Sequence, residues 1–425
     1  MNKEDIRYNS FINILKEELV PAMGCTEPIA LAYGAAKARE VLGQMPDRVV
    51  IGASGSIIKN VKSVIVPNTD GLKGIAAAAT AGIVAGKSEK MLEVIAEVTP
   101  EEIAAMRTFM AEVPIEVHHF LNGMTFDIVV TVYNGDNYAK VRIANYHTNI
   151  VLIEKNGEVL HSISTETEDE SGLTDHSILT LEGILDFAQT VEIADIEETI
   201  ERQISYNTAI AEEGMRGEYG SSVGKILIST YGNDVSNRAK AMAAAGSDAR
   251  MNGCEMPVII NSGSGNQGIT TSLPVIEYAK ELGVDRETML RALVLANLVT
   301  IHQKTSIGRL SAFCGAVSAG AGAGAGIAWL LGEDLDGISH TVVNAIATTG
   351  GMVCDGAKAS CASKIATAVE AAILGYHMHK NGKDLQPEDG IVAECPEQTI
   401  ANVGRMAKLG MKDTNEEIIK IMIGQ

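Results

Sequence analysis

Residues 126–133 read FDIVVTVY, and the segments YAKVRIA (138–144) and NIVLIE (149–154) follow closely. Apolar and polar side chains alternate along these segments, which is the period of β-strands that bury one face. Asn134–Gly135 and Asn156–Gly157 provide the residue types of tight turns between such strands. We therefore predict an antiparallel sheet between about residues 113 and 159, backed by a helix over residues 100–112.

Most of the remaining chain carries helical patterns. Helices are predicted over residues 4–20 and 26–42, and in the small-residue runs that begin near residues 74 and 315. Two strand-like segments, 48–53 and 61–66, are joined through SGSIIKN. The predicted fold class is α+β, a mainly helical catalytic body with an inserted small antiparallel-sheet α/β module. Residues 1–92 and 173–425 form the body, and residues 93–172 form the module with its acidic linker, STETEDES (164–171).

The composition excludes several classes of partner. A net charge of −20 without a compensating basic cluster would repel nucleic-acid phosphates. The first ten residues, MNKEDIRYNS, contain no apolar signal core, and the uncharged stretch 315–332 is too rich in Gly and Ala for a membrane span. We expect a cytoplasmic protein with a small amino-acid substrate and no membrane or nucleic-acid partner. The sequence does not determine the oligomeric state, and a homo-oligomer is one of the possibilities.

Four cysteines stand beside Gly, Ala or Ser, the residues that crowd a sulfur least. Cys25 lies in PAMGCTEP, Cys314 in AFCGAVSAG, and Cys354 and Cys361 in GGMVCDGAKASCASK. In a reducing cytosol such cysteines bind metal, act in catalysis or are merely buried. Three thiolates can hold three irons of a cubane cluster and leave the fourth iron open as a Lewis acid.

The spacing of these cysteines is neither that of a ferredoxin nor that of a zinc ribbon. Gly350, Gly351 and Gly356 favour a cluster, because they let the backbone approach a bulky group and donate to its sulfides. Zinc stays open as an alternative, although three thiolates without a nearby histidine are an uncommon zinc set. The remaining cysteines, Cys254 and Cys395, are interpreted as ordinary buried residues.

Cys25 directly precedes a predicted helix N-terminus. The unpaired N–H groups and the dipole at that end stabilise a thiolate, so a lowered pKa is expected for Cys25. The functional interpretation is a base, a nucleophile or a transient iron ligand. The alternative is a small buried residue at a tight turn.

The segment INSGSGNQGIT (260–270) offers backbone amides and neutral side-chain donors that suit a carboxylate or phosphate. It fits a dinucleotide-binding fingerprint only in part, and a plain Gly-rich connection is the alternative. The candidate substrate-binding residues in this segment are Ser262, Gly263, Ser264, Gly265, Asn266 and Gln267.

A second candidate substrate-binding pair is Lys59 and Asn60 in SGSIIKN. Lys59 could pair with a substrate carboxylate, and an exposed surface lysine is the alternative. His302, Lys304 and Arg309 precede Cys314 and are candidates to reach the same cavity.

With these motifs in hand, the chain resembles the L-cysteine desulfidase family, which is related to the α-chain of iron–sulfur L-serine dehydratases. The segments that carry the resemblance are PAMGCTEPIALAYGAA, SGSGNQG, CGAVSAGAGAGAG and GMVCDGAKASCASK. The resemblance implies a [4Fe–4S] cluster on Cys314, Cys354 and Cys361, a catalytic part for Cys25, and no pyridoxal phosphate. The dehydratases have a further cysteine near the C-terminus, whereas this chain reads IIKIMIGQ there, which favours the desulfidase.

The implied reaction is β-elimination of L-cysteine to pyruvate, ammonia and hydrogen sulfide, with the cluster as Lewis acid. In this hypothesis Cys25 removes the α-proton and the SGSGNQG loop holds the carboxylate. Three alternatives stay open: an iron–sulfur L-serine dehydratase, a non-catalytic iron–sulfur redox sensor, and a metal-free protein that binds an anion.

Overall fold

The computed structural model describes residues 1–120, 123–165, 173–308 and 311–423. The helices are α1 (Ile6–Glu18), α2 (Thr26–Leu42), α3 (Gly55–Val61), α4 (Gly74–Ala85), α5 (Pro100–Glu112), α6 (Leu181–Thr190), α7 (Ile193–Arg216), α8 (Val223–Tyr231), α9 (Val235–Met251), α10 (Gly265–Leu282), α11 (Arg286–Ile307), α12 (Gly315–Leu330), α13 (Leu335–Thr349), α14 (Cys361–Lys380), α15 (Pro396–Arg405) and α16 (Lys412–Ile423). The strands are β1 (Pro21–Met23), β2 (Arg48–Ser54), β3 (Ile115–Phe120), β4 (Asp127–Asn134), β5 (Asn137–Ala144), β6 (Ile150–Lys155), β7 (Glu158–Ser162) and β8 (Pro257–Ile259). This mainly helical α+β architecture confirms the predicted fold class.

The larger sheet has the strand order β3-β2-β4-β5-β6-β7. The predicted hairpin strands are confirmed as β4, β5 and β6, paired antiparallel with Val130 opposite Val141 and Val141 opposite Ile153. β2 runs antiparallel to β4 and parallel to β3, so the sheet is mixed. It therefore joins a strand from outside residues 93–172 to strands within them. Most of the predicted acidic linker, residues 166–172, lies outside the described residues.

Two local predictions are wrong. Residues 61–66 do not form a strand, because SGSIIKN forms α3, which ends at Val61. The residues that follow form a turn and one isolated bridge between Ile65 and Lys73. The helix packed across β4 and β5 is α2, whose Gly34 lies close to Ile143, whereas α5 packs on α4. A short apolar run fits a strand and a buried helix equally well, and only the tertiary contacts distinguish them.

The predicted interior helix is confirmed as α12, which packs against α10, α11, α13 and α14. Its side chains are buried from Ala316 to Ala328. A Cβ at Gly320 would lie 2.7 Å from the Ala368 carbonyl oxygen of α14, and one at Gly322 would lie 2.6 Å from the Ala296 carbonyl oxygen of α11. The absent side chains thus let three helix backbones meet closely. Across the described ranges, no helix has the combined length and apolarity needed to cross a bilayer.

We predict that Gly322→Val lowers the free energy of unfolding by about 1–3 kcal/mol or more, since the new side chain overlaps α11 and forces the helices apart. Urea denaturation of the purified variant measures this loss. Gly351→Ala is the control, because Gly351 has no neighbouring atom within 4 Å of a new Cβ. Equal stabilities of the two variants would contradict the close packing of α12.

Candidate active site

Four helices begin around one cavity of about 100 Å³. They are α2, α10, α12 and α14. Cys25, Ser264 and Cys314 directly precede the first three of these helices, and Cys361 is the first residue of α14. The sequence-predicted residues that line the cavity are Cys25, Asn60, Gly263, Ser264, Asn266, Gln267, Lys304, Cys314, Cys354 and Cys361. The fold thus brings together, at one cavity, segments that are distant in the chain and that were each predicted as part of a site from their own local pattern.

Two paired segments place Cys314 beside Cys354. The backbone N–H of Cys314 donates to the Met352 carbonyl at 3.0 Å, and that of Cys354 donates to the Ala312 carbonyl at 2.6 Å. Cys361 completes the group as the first residue of α14. The three thiols therefore face a common cavity from two neighbouring turns and one helix end.

Burial, followed by the nearby charge of Cys354, raises the pKa of Cys314 to about 12. Burial also raises the pKa of Cys361, and the charge of Cys354 adds to this increase. Burial therefore favours the neutral thiols of Cys314 and Cys361, and a bound metal ion would replace their protons. This donor set fits the iron–sulfur cluster that the resemblance implies, and Cys25 contributes a further sulfur to the same wall.

Cys25 directly precedes α2, as expected, and is its N-cap residue, but the predicted lowering of its pKa is wrong. Burial raises the pKa well above its usual value, and the negative charge of Glu27 raises it further. The Cys25 Sγ donates to Glu27 Oε2 at 3.0 Å. The helix dipole is thus outweighed by desolvation and by an acidic neighbour within the same first turn.

Glu27 connects α2 to two other parts of the wall. Its Oε1 accepts a hydrogen bond from Asn60 Nδ2 at 2.9 Å. Next to it, Thr26 Oγ1 donates to the Gly263 carbonyl at 2.9 Å and so fixes the SGSGNQG loop against α2. Although burial raises the pKa of Glu27, the charge of His147 and the hydrogen bond from Cys25 outweigh this effect, and the net pKa is lowered. Glu27 therefore stands in the wall as a carboxylate.

Lys59 is buried, with 2% of its surface exposed, and so is not an exposed surface lysine. Its Nζ donates to the Cys354 carbonyl at 3.1 Å, to the Ser311 carbonyl at 3.4 Å and to Asn415 Oδ1 at 2.8 Å. Burial lowers its pKa, and the negative charges around it oppose that change. Gly356, with φ +100°, lies directly against the Lys59 carbonyl. Lys59 thus holds the turn that carries Cys354, and it does not line the cavity.

The other predicted residues take different places. Ser262 is buried at the start of the SGSGNQG loop, where its Oγ donates to Asn261 Oδ1 at 2.8 Å. Gly265 is the first residue of α10 and lies close to the Arg250 side chain. His302 pairs with Glu397, with 2.7 Å between Nε2 and Oε2, and does not line the cavity. Arg309 lies outside the described residues.

The two remaining cysteines differ in burial. Cys254 is buried, as predicted, whereas Cys395 is exposed, so the prediction of a buried Cys395 is wrong. Cys395 precedes α15 at the surface, where its thiol is not needed for packing.

Sequence reasoning missed Arg250 as a site residue. Arg250 comes at the end of α9, is 2% exposed and lines the cavity. The signal in the sequence was weak: Arg250 is the one cationic residue in the small-residue run AMAAAGSDARM. Its role depends on contacts with loops that lie elsewhere in the chain.

A separate group of potential metal ligands consists of His340, His379 and Asp384, whose ligand atoms lie within 4.8 Å of one another. The two imidazole rings stack at 5.4 Å, and His379 Nδ1 lies 3.0 Å from Asp384 Oδ2. None of the three lines the cysteine cavity.

We predict that Lys59→Met lowers the free energy of unfolding by about 2–3 kcal/mol, because it leaves two buried carbonyls without their charged donor. Urea denaturation of the metal-free protein measures this loss. Lys62→Met is the matched control, since Lys62 is one turn away and makes its contact, with the Met422 carbonyl, at the surface. A similar loss in both variants would show that the contacts of Lys59 contribute no more stability than the surface contact of Lys62.

Comparison with known proteins shows similarity along the whole chain. A family model described as serine dehydratase alpha chain matches residues 89–420. A UPF0597 protein of Desulfitobacterium hafniense is 60% identical over 100% of this chain and 99% of its own. UPF0597 proteins of Lachnoclostridium phytofermentans and Finegoldia magna are 52% and 45% identical, covering 98% and 97% of this chain and 100% and 99% of theirs.

Proposed function

The chain belongs to the serine dehydratase alpha-chain family, and from that premise we propose that it is a carbon–sulfur lyase acting on L-cysteine. The family suggests a lyase. The choice of L-cysteine is supported by the resemblance of the cysteine-bearing segments to L-cysteine desulfidases. The observation that carries the proposal is the meeting of Cys25, Cys314, Cys354 and Cys361 at one buried cavity.

In this proposal Cys314, Cys354 and Cys361 hold a [4Fe–4S] cluster. When bound, such a cluster supplies an open iron that acts as a Lewis acid toward the leaving group. The protein contributes the environment: Cys314 is buried, and Cys354 and Cys361 are partly buried. Lys59 and the pairing of residues 312–314 with 352–354 fix the backbones of Cys314 and Cys354. Burial excludes bulk water and so strengthens every electrostatic interaction at the reacting atoms.

The chain's own proton-handling pair is Cys25 and Glu27. Burial keeps the proton on Cys25 Sγ, which lies 3.0 Å from Glu27 Oε2. Cys25 can accept the substrate α-proton only as a thiolate. Its own proton would then have to pass to Glu27 along this hydrogen bond, against the raised pKa of Cys25 and the lowered pKa of Glu27. Loss of the α-proton and of sulfide converts L-cysteine to aminoacrylate, which then hydrolyses to pyruvate and ammonia.

L-Serine dehydration is the second candidate, and the serine dehydratase description of the matching family model favours it. The two reactions share the α-proton removal and differ only in the leaving group, hydroxide in place of sulfide. The same cavity residues therefore serve either substrate, and the comparison of the two amino acids has to be made by experiment.

We predict that anaerobically reconstituted protein contains about four irons per chain and forms pyruvate and sulfide from L-cysteine faster than it forms pyruvate from L-serine. Pyruvate and sulfide assays on one preparation provide the measurement. Faster pyruvate formation from serine would replace the proposal with the dehydratase. Iron-loaded protein that turns over neither amino acid would favour a redox role.

Cysteine variants separate ligands from the proton-handling residue. We expect Cys314→Ser, Cys354→Ser and Cys361→Ser each to reduce the iron content after reconstitution. Cys25→Ser should keep its iron and lose about 10²–10⁴-fold in kcat, the range for a missing acid–base group. Cys395→Ser is the control, because Cys395 is exposed and does not line the cavity. Full activity of Cys25→Ser with an intact cluster would remove Cys25 from the mechanism.

A further inference from the structure

Three side-chain atoms of the cavity wall lack a hydrogen-bond partner among the described residues. They are Arg250 Nε, Asn60 Oδ1 and Gln267 Oε1. The three residues are 2%, 6% and 5% exposed, respectively. Buried polar atoms are nearly always hydrogen-bonded, and an unpaired one costs free energy. One unpaired donor and two unpaired acceptors at one cavity therefore indicate a ligand that offers a hydrogen-bond acceptor to Arg250 and donors to Asn60 and Gln267.

The donor belongs to a buried cation that is poorly matched. Arg250 Nη1 donates to the neutral Asn266 Oδ1 at 3.1 Å, and no ion pair of Arg250 falls among the described residues. A buried arginine is normally paired with a carboxylate, and its planar guanidinium fits one with two parallel hydrogen bonds. Gly265 makes room for the guanidinium, because a Cβ there would lie 2.3 Å from Arg250 Nε and 2.6 Å from Cζ.

The two acceptors are fixed in position by their neighbours. Asn60 Nδ2 donates to the Glu27 carboxylate at 2.9 Å, which sets the orientation of the amide and leaves Oδ1 unpaired. The Gln267 amide lies under Gly315, where a Cβ would be 2.7 Å from Gln267 Cδ. Two amide oxygens, with the Glu27 carboxylate beside them, match a group that carries several N–H donors and a positive charge.

We infer that the cavity binds a zwitterionic α-amino acid, with Arg250 contacting the carboxylate and Asn60 and Gln267 accepting from the α-ammonium group. This inference rests on the proposed function, because L-cysteine and L-serine are both α-amino acids. It assigns the carboxylate to Arg250, in place of the SGSGNQG loop that was expected from the sequence to hold it. The loop contributes Gln267 to the opposite end of the ligand.

The test uses L-alanine, which has no β-leaving group and therefore binds without turnover. Calorimetric titration of the reconstituted protein compares L-alanine with propionate, which lacks the ammonium group, and with L-alaninamide, which lacks the carboxylate charge. Each loss should weaken binding by about 10-fold or more, the range for a lost charged hydrogen bond. Equal binding of the three compounds, or no binding of L-alanine, would overturn the inference without any variant.

Two variants then assign the ends of the ligand. Arg250→Gln should abolish the preference for L-alanine over L-alaninamide and keep the preference over propionate. Gln267→Met, which has a similar shape and no amide oxygen, should reduce the preference over propionate alone. Arg286→Gln is the control, because Arg286 pairs with Glu201 at the surface. Since each variant is judged by a ratio of two ligands, a general loss of stability does not imitate the result, and unchanged ratios would overturn the assignment.

Failure of this inference is distinguishable from failure of the proposed function. If the protein binds L-alanine through Arg250 but releases neither sulfide nor pyruvate from L-cysteine, the binding assignment is supported and the lyase proposal is wrong. If Arg250→Gln turns over L-cysteine with the same KM as the unaltered chain, the lyase proposal is supported and the binding assignment is wrong.

Discussion

The close contact of α12 with α11 and α14 is the constraint on which the cavity depends. Gly320 and Gly322 let backbones meet where any side chain would overlap a carbonyl of the neighbouring helix. Because α10, α12 and α14 are packed together in this way, the residues that open them arrive at one place. The four glycines inside α12, which are Gly320, Gly322, Gly324 and Gly326, cost about 1 kcal/mol each relative to alanine, a cost that the packing of the helix offsets.

The cavity has a charge balance unlike that of the protein as a whole. The chain carries a net charge of −20, yet the cavity wall sets Arg250 and Lys304 against the Glu27 carboxylate and receives the partially positive ends of four helices. Burial favours the neutral thiol at Cys314 and Cys361. An anionic or metal-bearing ligand is thus favoured locally, although the protein surface repels anions at long range.

Local patterns were sufficient for much of the fold and for most of the segments that meet at the cavity. The alternation in residues 126–154 and the Gly–Ala run of α12 are strong signals, and both were confirmed. The strand prediction at 61–66 and the pKa of Cys25 were wrong for one reason: burial and neighbours decide both, and they are tertiary properties. Arg250 and the buried Lys59 carry no distinctive spacing, so their places became evident only from packing.

The contact between Lys59 and Asn415 has a consequence for biosynthesis. Asn415, in α16, is translated well after Cys354, yet it accepts one of the three hydrogen bonds of the ammonium that holds the Cys354 turn. Until α16 emerges from the ribosome and docks on α3, that ammonium lacks its neutral side-chain acceptor and the turn is held less firmly. Ordering of the turn that carries Cys354 is thereby linked to completion of the helical body during synthesis.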